Sequence, residues 1–126
     1  MRAASFLRLA TLTAALTLGA CTTVPAAPPT LVASGLLSNA AGMTLYTFDR
    51  DGAGRSACNG DCAQKWPPLT AAADAKPTGD YSVVLRDDGS RQWAYKGKPL
   101  YTWFKDQKPG DTSGDGVNGV WHVARP

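Results

Sequence analysis

From Leu31 onward the apolar residues come in short alternating runs, broken every few positions by Gly, Asp or Pro. Leu31 to Leu37 predicts a strand, Ser38 to Gly42 a turn, and Met43 to Phe48 the antiparallel partner of a hairpin. Asp51 to Gly60 is a Gly-rich loop. Asp61 is then placed to N-cap a single helical turn through Lys65, which Trp66-Pro67-Pro68 stops. After a loop from Ala71 to Asp80, Tyr81 to Arg86 alternates aromatic and β-branched residues, Asp87 to Ser90 turns, and Arg91 to Tyr95 returns. Lys96-Gly97-Lys98 makes a tight turn into Pro99 to Phe104, and a long loop from Lys105 to Asn118 leads to a last strand, Gly119 to Ala124. No long segment has a 3.6-residue period, so the pattern predicts an all-β fold of short antiparallel strands. Leu45, Leu100, Val83, Leu85, Trp66 and Trp121 are the expected core.

The pattern also repeats. Gly42-Met43-Thr44-Leu45-Tyr46-Thr47-Phe48-Asp49-Arg50-Asp51 returns 55 residues later as Gly97-Lys98-Pro99-Leu100-Tyr101-Thr102-Trp103-Phe104-Lys105-Asp106, and the same offset pairs Trp66 with Trp121. Two copies are too few for a solenoid, so the repeat predicts one small compact domain of two related halves. On a strand, Tyr46 and Phe48 share one face, as do Tyr101 and Trp103, while Leu45 and Leu100 point the other way.

The residues before Leu31 have a different character. Met1 to Arg8 is short and basic, and Leu9 to Ala20 is apolar or small except for threonines. Twelve such residues cannot cross a hydrocarbon core of roughly 30 Å, so residues 1–20 read as an export signal. Leu18-Gly19-Ala20-Cys21 looks like a bacterial lipobox, an aliphatic and two small residues before a cysteine that is acylated and becomes the new N-terminus. An ordinary signal cleavage site also uses small residues; the position of Cys21 at the close of the apolar run favours lipidation. A diacylglyceryl thioether supplies the two chains that stable anchoring requires. Residues 21–30 then form a Pro/Ala/Thr linker, and 31–126 the folded domain. Thr22 follows Cys21 where an Asp would signal retention, which in a Gram-negative host points to the outer membrane.

Charge excludes one class of partner. Of the 13 basic residues, Arg2 and Arg8 belong to the export signal, leaving 11 basic against 10 acidic residues in the mature chain, so no basic patch for nucleic acid is expected. Every acidic residue is Asp. Asp favours turns and caps over helix interiors, which agrees with a loop-rich β protein.

The candidate chemistry begins with the repeated Tyr-x-(Phe/Trp)-x-x-Asp of Tyr46, Phe48, Asp51 and Tyr101, Trp103, Asp106. Aromatics that pack and a carboxylate that pins a loop explain it structurally. An aromatic face beside an Asp, as in sugar or amine sites, is the functional alternative. With Cys58-Asn59-Gly60-Asp61-Cys62-Ala63, Trp66-Pro67-Pro68-Leu69, Gln92-Trp93, Gly110-Asp111, Gly114-Asp115-Gly116 and Trp121-His122-Val123, the chain resembles the bacterial "secreted repeat" lipoproteins. That resemblance implies a repeat-built β domain exported to the cell envelope and carries no established activity with it.

Cys58 and Cys62 remain as thiols once Cys21 is acylated, and outside the cytoplasm a nearby pair is most simply a disulfide. The alternative is a copper or thiol-redox site, in which His122 would be the further ligand. At the 55-residue offset Cys58 aligns with Ser113 and Cys62 with Val117, so Asp/Gly turns in the second loop stand where the first has cysteines. Asp111, Asp115 and Asn118 invite a calcium reading but do not fit the EF-hand spacing. His122, expected to face outward between Trp121 and Val123, lacks a nucleophile signature, which leaves a small hydrolase as a third reading. The expectation from sequence is a membrane-anchored envelope lipoprotein with a non-enzymatic binding or structural role.

Overall fold

Tyr46 and Tyr101, at the same position of the two repeats, meet in the middle of the domain. The Tyr46 N–H donates to the Tyr101 carbonyl at 2.8 Å, and the Tyr101 N–H donates back to the Tyr46 carbonyl at 3.0 Å. This is seen in a computed structural model that describes residue 14 and residues 30–126. An antiparallel pair between equivalent residues places a pseudo-twofold axis between them.

The halves are interlocked about that axis. β3 (Tyr46–Phe48) pairs with β7 (Trp121–Val123), Tyr46 opposite Val123 and Phe48 opposite Trp121. In the second half Tyr101 bridges Pro68, and the Thr102 N–H donates to the Pro67 carbonyl at 2.8 Å. Pro68 and Val123 lie 55 residues apart, so these pairings are equivalent. Each motif segment takes its partner from the closing segment of the other repeat. Asp49 N–H to the Val120 carbonyl and Phe104 N–H to the Lys65 carbonyl, at 2.8 and 2.9 Å, extend the exchange.

A hairpin flanks each half. β1 (Leu31–Ala33) and β2 (Leu36–Ser38) form one, and β4 (Tyr81–Leu85), β5 (Arg91–Tyr95) and β6 (Lys98–Pro99) form a three-stranded sheet in the other. They attach alike: Leu37 N–H donates to the Ala124 carbonyl at 2.9 Å, and Trp93 N–H to the Leu69 carbonyl at 2.8 Å. α1 (Asp61–Lys65) is the single helical turn expected, but its cap position is Gly60, and Asp61 is the first-turn residue. A 3-10 turn at Val117–Gly119 precedes β7.

Strand alternation divides the interior in two. Leu45 and Leu100 drop into a core with Leu37, Leu69, Trp93 and Ala124, while Tyr46, Tyr101 and Trp103 turn to an aromatic core with Cys58, Trp66 and Trp121. Fully burying each large apolar side chain contributes about 1.5–3 kcal/mol.

Four further expectations need correction. Leu31 to Leu37 is not one strand: Ser34 and Gly35 both take positive φ, 54° and 73°, and make a two-residue turn between β1 and β2. Pro99 to Phe104 is not continuous, since β6 ends at Pro99 and only Tyr101 bridges beyond it. The last strand contracts to Trp121–Val123. Leu85 is 71% exposed, whereas Val84 and Arg86 are buried, and Val83 packs at the edge of the leucine core. The strand end is phased to bury a guanidinium whose two terminal nitrogens donate to Ser56, Gln92, Cys58 and Asn59 while Nε has no partner, and this places the adjacent leucine in solvent.

Candidate functional site

The repeat motif forms two crossed braces. The Tyr46 hydroxyl donates to Asp106 Oδ2 at 2.6 Å, and the Tyr101 hydroxyl donates to Asp51 Oδ2 at 2.7 Å, so the tyrosine of each repeat holds the aspartate of the other. The second oxygen of each carboxylate pins its own loop. Asp51 Oδ1 accepts the Ala57 N–H at 2.7 Å, and Asp106 Oδ1 accepts the Ser113 N–H and hydroxyl at 3.1 and 2.6 Å. Burial above all, then the Asp106 carboxylate, pushes the Tyr46 hydroxyl far above the usual phenol range. Burial does the same to Tyr101, helped by Asp51 and opposed by Ser56. Burial also raises Asp51, against the lowering effect of Ala57, Tyr101 and Arg86.

Between the braces the aromatic rings stack about the same axis. Phe48 lies 4.2 Å from Trp121, Trp121 lies 3.7 Å from Trp66 with the rings 4° apart, and Trp66 lies 4.0 Å from Trp103. Tyr46 meets Trp66 edge-on, as Tyr101 meets Trp121. The axis runs between Trp66 and Trp121. Tyr46 and Tyr101 are fully buried and Trp103 is 9% exposed, so they form no open aromatic face. Phe48 is the motif aromatic that reaches a groove. That groove, about 330 Å³, is flanked by Arg50, Asp61, Cys62 and Lys65.

The loops feeding the braces differ. In the first, Cys58 and Cys62 are joined in a disulfide. The Ser56 hydroxyl sits 2.7 Å from the Tyr101 oxygen; because Tyr101 gives its proton to Asp51, Ser56 donates here. Ser56 Oγ in turn accepts the Cys58 N–H at 3.3 Å and Arg86 Nη1 at 3.0 Å. Arg86, 4% exposed, also donates to Gln92 Oε1 at 2.7 Å and to the Cys58 carbonyl at 2.5 Å. In the second loop the Gly114 N–H donates directly to the Tyr46 oxygen at 3.2 Å. Gly114 sits against the rings: a Cβ there would lie 2.8 Å from Trp66 and 2.9 Å from Trp103. The structural counterpart of Cys58 is therefore Gly114, one residue beyond the Ser113 that a constant offset selects.

The remaining candidates separate. His122 faces outward on β7, away from the core that holds Cys58, and its Nε2 is 2.7 Å from Asp49 Oδ2. Asp111 Oδ2 accepts the N–H groups of Gln107 and Lys108, which hold its carboxyl below the usual range, and Asp115 Oδ1 accepts the Val123 N–H. Asn118 takes a left-handed φ of 53° in the 3-10 turn. Among the described residues no three His, Cys, Asp or Glu side chains gather as metal ligands. Cys21, the expected export signal (residue 14 apart) and the expected linker up to residue 29 lie outside the described residues. Arg86 and Ser56 are not marked by the sequence as site residues, and Gln92 and Gly114 enter only among the residues of the family resemblance. The inward phase of Arg86, two residues after buried Val84, was the one available signal.

Residues 34–70 and 82–125 match the family described as a secreted repeat of unknown function, one match to each half. No curated protein and no solved structure matches the chain. Among the described residues no helix is long and apolar enough to cross a membrane.

Proposed function

The chain belongs to the family of secreted repeats of unknown function, and from that membership, which implies export, we propose that it is a lipid-anchored cell-envelope domain that binds or builds rather than catalyses. One observation carries the non-catalytic part: the motif side chains of each repeat are bonded to those of the other. Tyr46, Asp106, Tyr101 and Asp51 close two braces, and Trp103 is stacked within the ring column. Residues spent in this way fix a shape. The anchor rests on Leu18-Gly19-Ala20-Cys21 at the end of an apolar run.

The test is metabolic labelling with an alkyne fatty acid followed by detergent phase partition. The wild-type chain is expected to carry label and enter the detergent phase, and Cys21→Ala to lose both. Unlabelled wild-type protein in the aqueous phase would refute the anchor. A copper or thiol-redox role needs Cys58 and Cys62 as thiolates with a further ligand. In the structure they are bonded to each other, and His122 is paired with Asp49. Two free thiols with stoichiometric copper in oxidatively purified protein would replace the structural reading.

A further inference from the structure

The outer face of the β3–β7 pair gathers basic side chains. Lys96 and Lys98 from the β5–β6 turn, His122 from β7 and Arg125 beyond it line a depression of about 280 Å³ together with Thr47 and Asp49. An adjoining depression of about 320 Å³ shares Thr47, Asp49, Lys96 and Lys98. Asp49 is the carboxylate of the first depression and is tied to His122. Asp51, in the second, has its oxygens on Tyr101 and Ala57. With Lys96, Lys98 and Arg125 against Asp49 and Asp51, and His122 counted neutral, the formal balance of the two depressions is +1, and the lysines and Arg125 are the side chains left to meet an anion.

The turn that carries the lysines is strained. Tyr95 and Lys98 pair across a two-residue turn in which Lys96 has φ 48° and Gly97 has φ 79°. Such a turn favours Asn-Gly, because both central residues are left-handed. Lysine is held there instead, and strained residues of this kind collect where a side chain has a task. Its ammonium lies 5.3 Å from the Tyr95 ring centroid, over the same depression.

The point where the tether joins the domain lies close by. Val32 of β1 pairs with Leu37, and the Leu37 N–H donates to the carbonyl of Ala124, the neighbour of Arg125. Two strand spacings, about 10 Å, therefore separate β1 from that end of the basic face. Nine residues lead from Cys21 to Thr30 and reach about 30 Å at most.

We propose that this basic face is the one the domain turns to its membrane, with Lys96, Lys98 and Arg125 seated among the phosphates of anionic phospholipid headgroups. The proposal rests on the lipid-anchored reading above. Each cation near an anionic surface adds roughly a fivefold preference, screened by salt. The domain would then hold one orientation rather than swing on its linker.

The full lipidated protein, reconstituted in phosphatidylcholine vesicles with or without phosphatidylglycerol and recovered by flotation, provides the test. Amine-reactive ester footprinting reads each lysine by mass spectrometry. Lys96 and Lys98 are expected to react about tenfold more slowly on the anionic vesicles, while exposed Lys65 and Lys105 keep their rates. Lys96→Asn, which suits the turn and removes one charge, should lessen the protection of Lys98 about fivefold. Equal rates for Lys96 and Lys98 on both floated vesicles would overturn the orientation with the anchor intact. Protection by millimolar inorganic phosphate on neutral vesicles would assign the face to a soluble anion and overturn it too. Protein left behind when the vesicles float would remove the anchor, and the proposal with it.

Discussion

The loops before Trp66 and before Trp121 do the same work with different chemistry. Each brings an N–H toward the tyrosine oxygen of the opposite motif and delivers a tryptophan to the ring column. The first loop does so with a disulfide, a serine hydroxyl interposed between Cys58 and Tyr101, and a buried Arg86 beneath. The second does so with Gly114, whose lack of a side chain lets its N–H reach the Tyr46 oxygen directly. In the first loop Ser56 Oγ stands between the Cys58 N–H and the Tyr101 oxygen, where the second loop has a direct bond. The disulfide is therefore one of two answers to a shape problem, which removes the need for a chemical reason to keep it.

The comparison breaks most readily at the second brace. Asp106→Ala removes three acceptor contacts and leaves the buried Tyr46 O–H proton without an acceptor, so urea unfolding should show a loss of roughly 3 kcal/mol or more. Asp51→Ala should cost less, because the Ser56 hydroxyl can turn to accept the Tyr101 proton, which the Gly114 N–H cannot do for Tyr46. Gly114→Ala should cost about 1–3 kcal/mol by overpacking against Trp66 and Trp103, with a changed near-ultraviolet circular dichroism signal from the rings. The same substitution at Gly52, which like Gly114 has no left-handed φ and where a Cβ meets only Arg55 at 3.8 Å, is a control for the backbone effect alone.

Replacing both Cys58 and Cys62 by Ser should cost about 2 kcal/mol, the chain-entropy value for so short a loop, and leave the fold in place. A fall well beyond that would mean the two loops are not equivalent. Alkaline pH gives the mildest comparison. Both tyrosines are raised in the folded state, so their contribution is intact below the unfolded value of about 10 and fades as pH climbs past it. Urea midpoints should fall between pH 9 and about 11, and Tyr46→Phe or Tyr101→Phe should each flatten part of that fall.

Much of this was legible in the chain. The 55-residue repeat foretold two halves, and period-two alternation sent Leu45 and Tyr46 to opposite sides, which here means separate cores. His122 faces outward as expected. The crossed pairing was not legible, because a three-residue strand such as Tyr46–Phe48 carries no signal of which closing segment will accept it. The phase of Tyr81–Leu85 was misread for a related reason: hydrophobicity put Leu85 inside, and only the acceptors around Arg86, supplied by residues 56, 58 and 92, decide otherwise. The one-residue shift that pairs Cys58 with Gly114 appears only when hydrogen bonds, rather than letters, are aligned.

The exchange of closing segments means that the halves are joined by more than the peptide chain. The loop between Thr70 and Asp80 is the covalent passage from one repeat to the next, yet Pro67–Leu69 already lies bonded to the second motif and β7 to the first. A protease that cut this loop would leave two fragments clasped together, each holding a segment the other requires. By the same geometry, two separate single-repeat chains could form these reciprocal backbone bonds as a symmetric dimer.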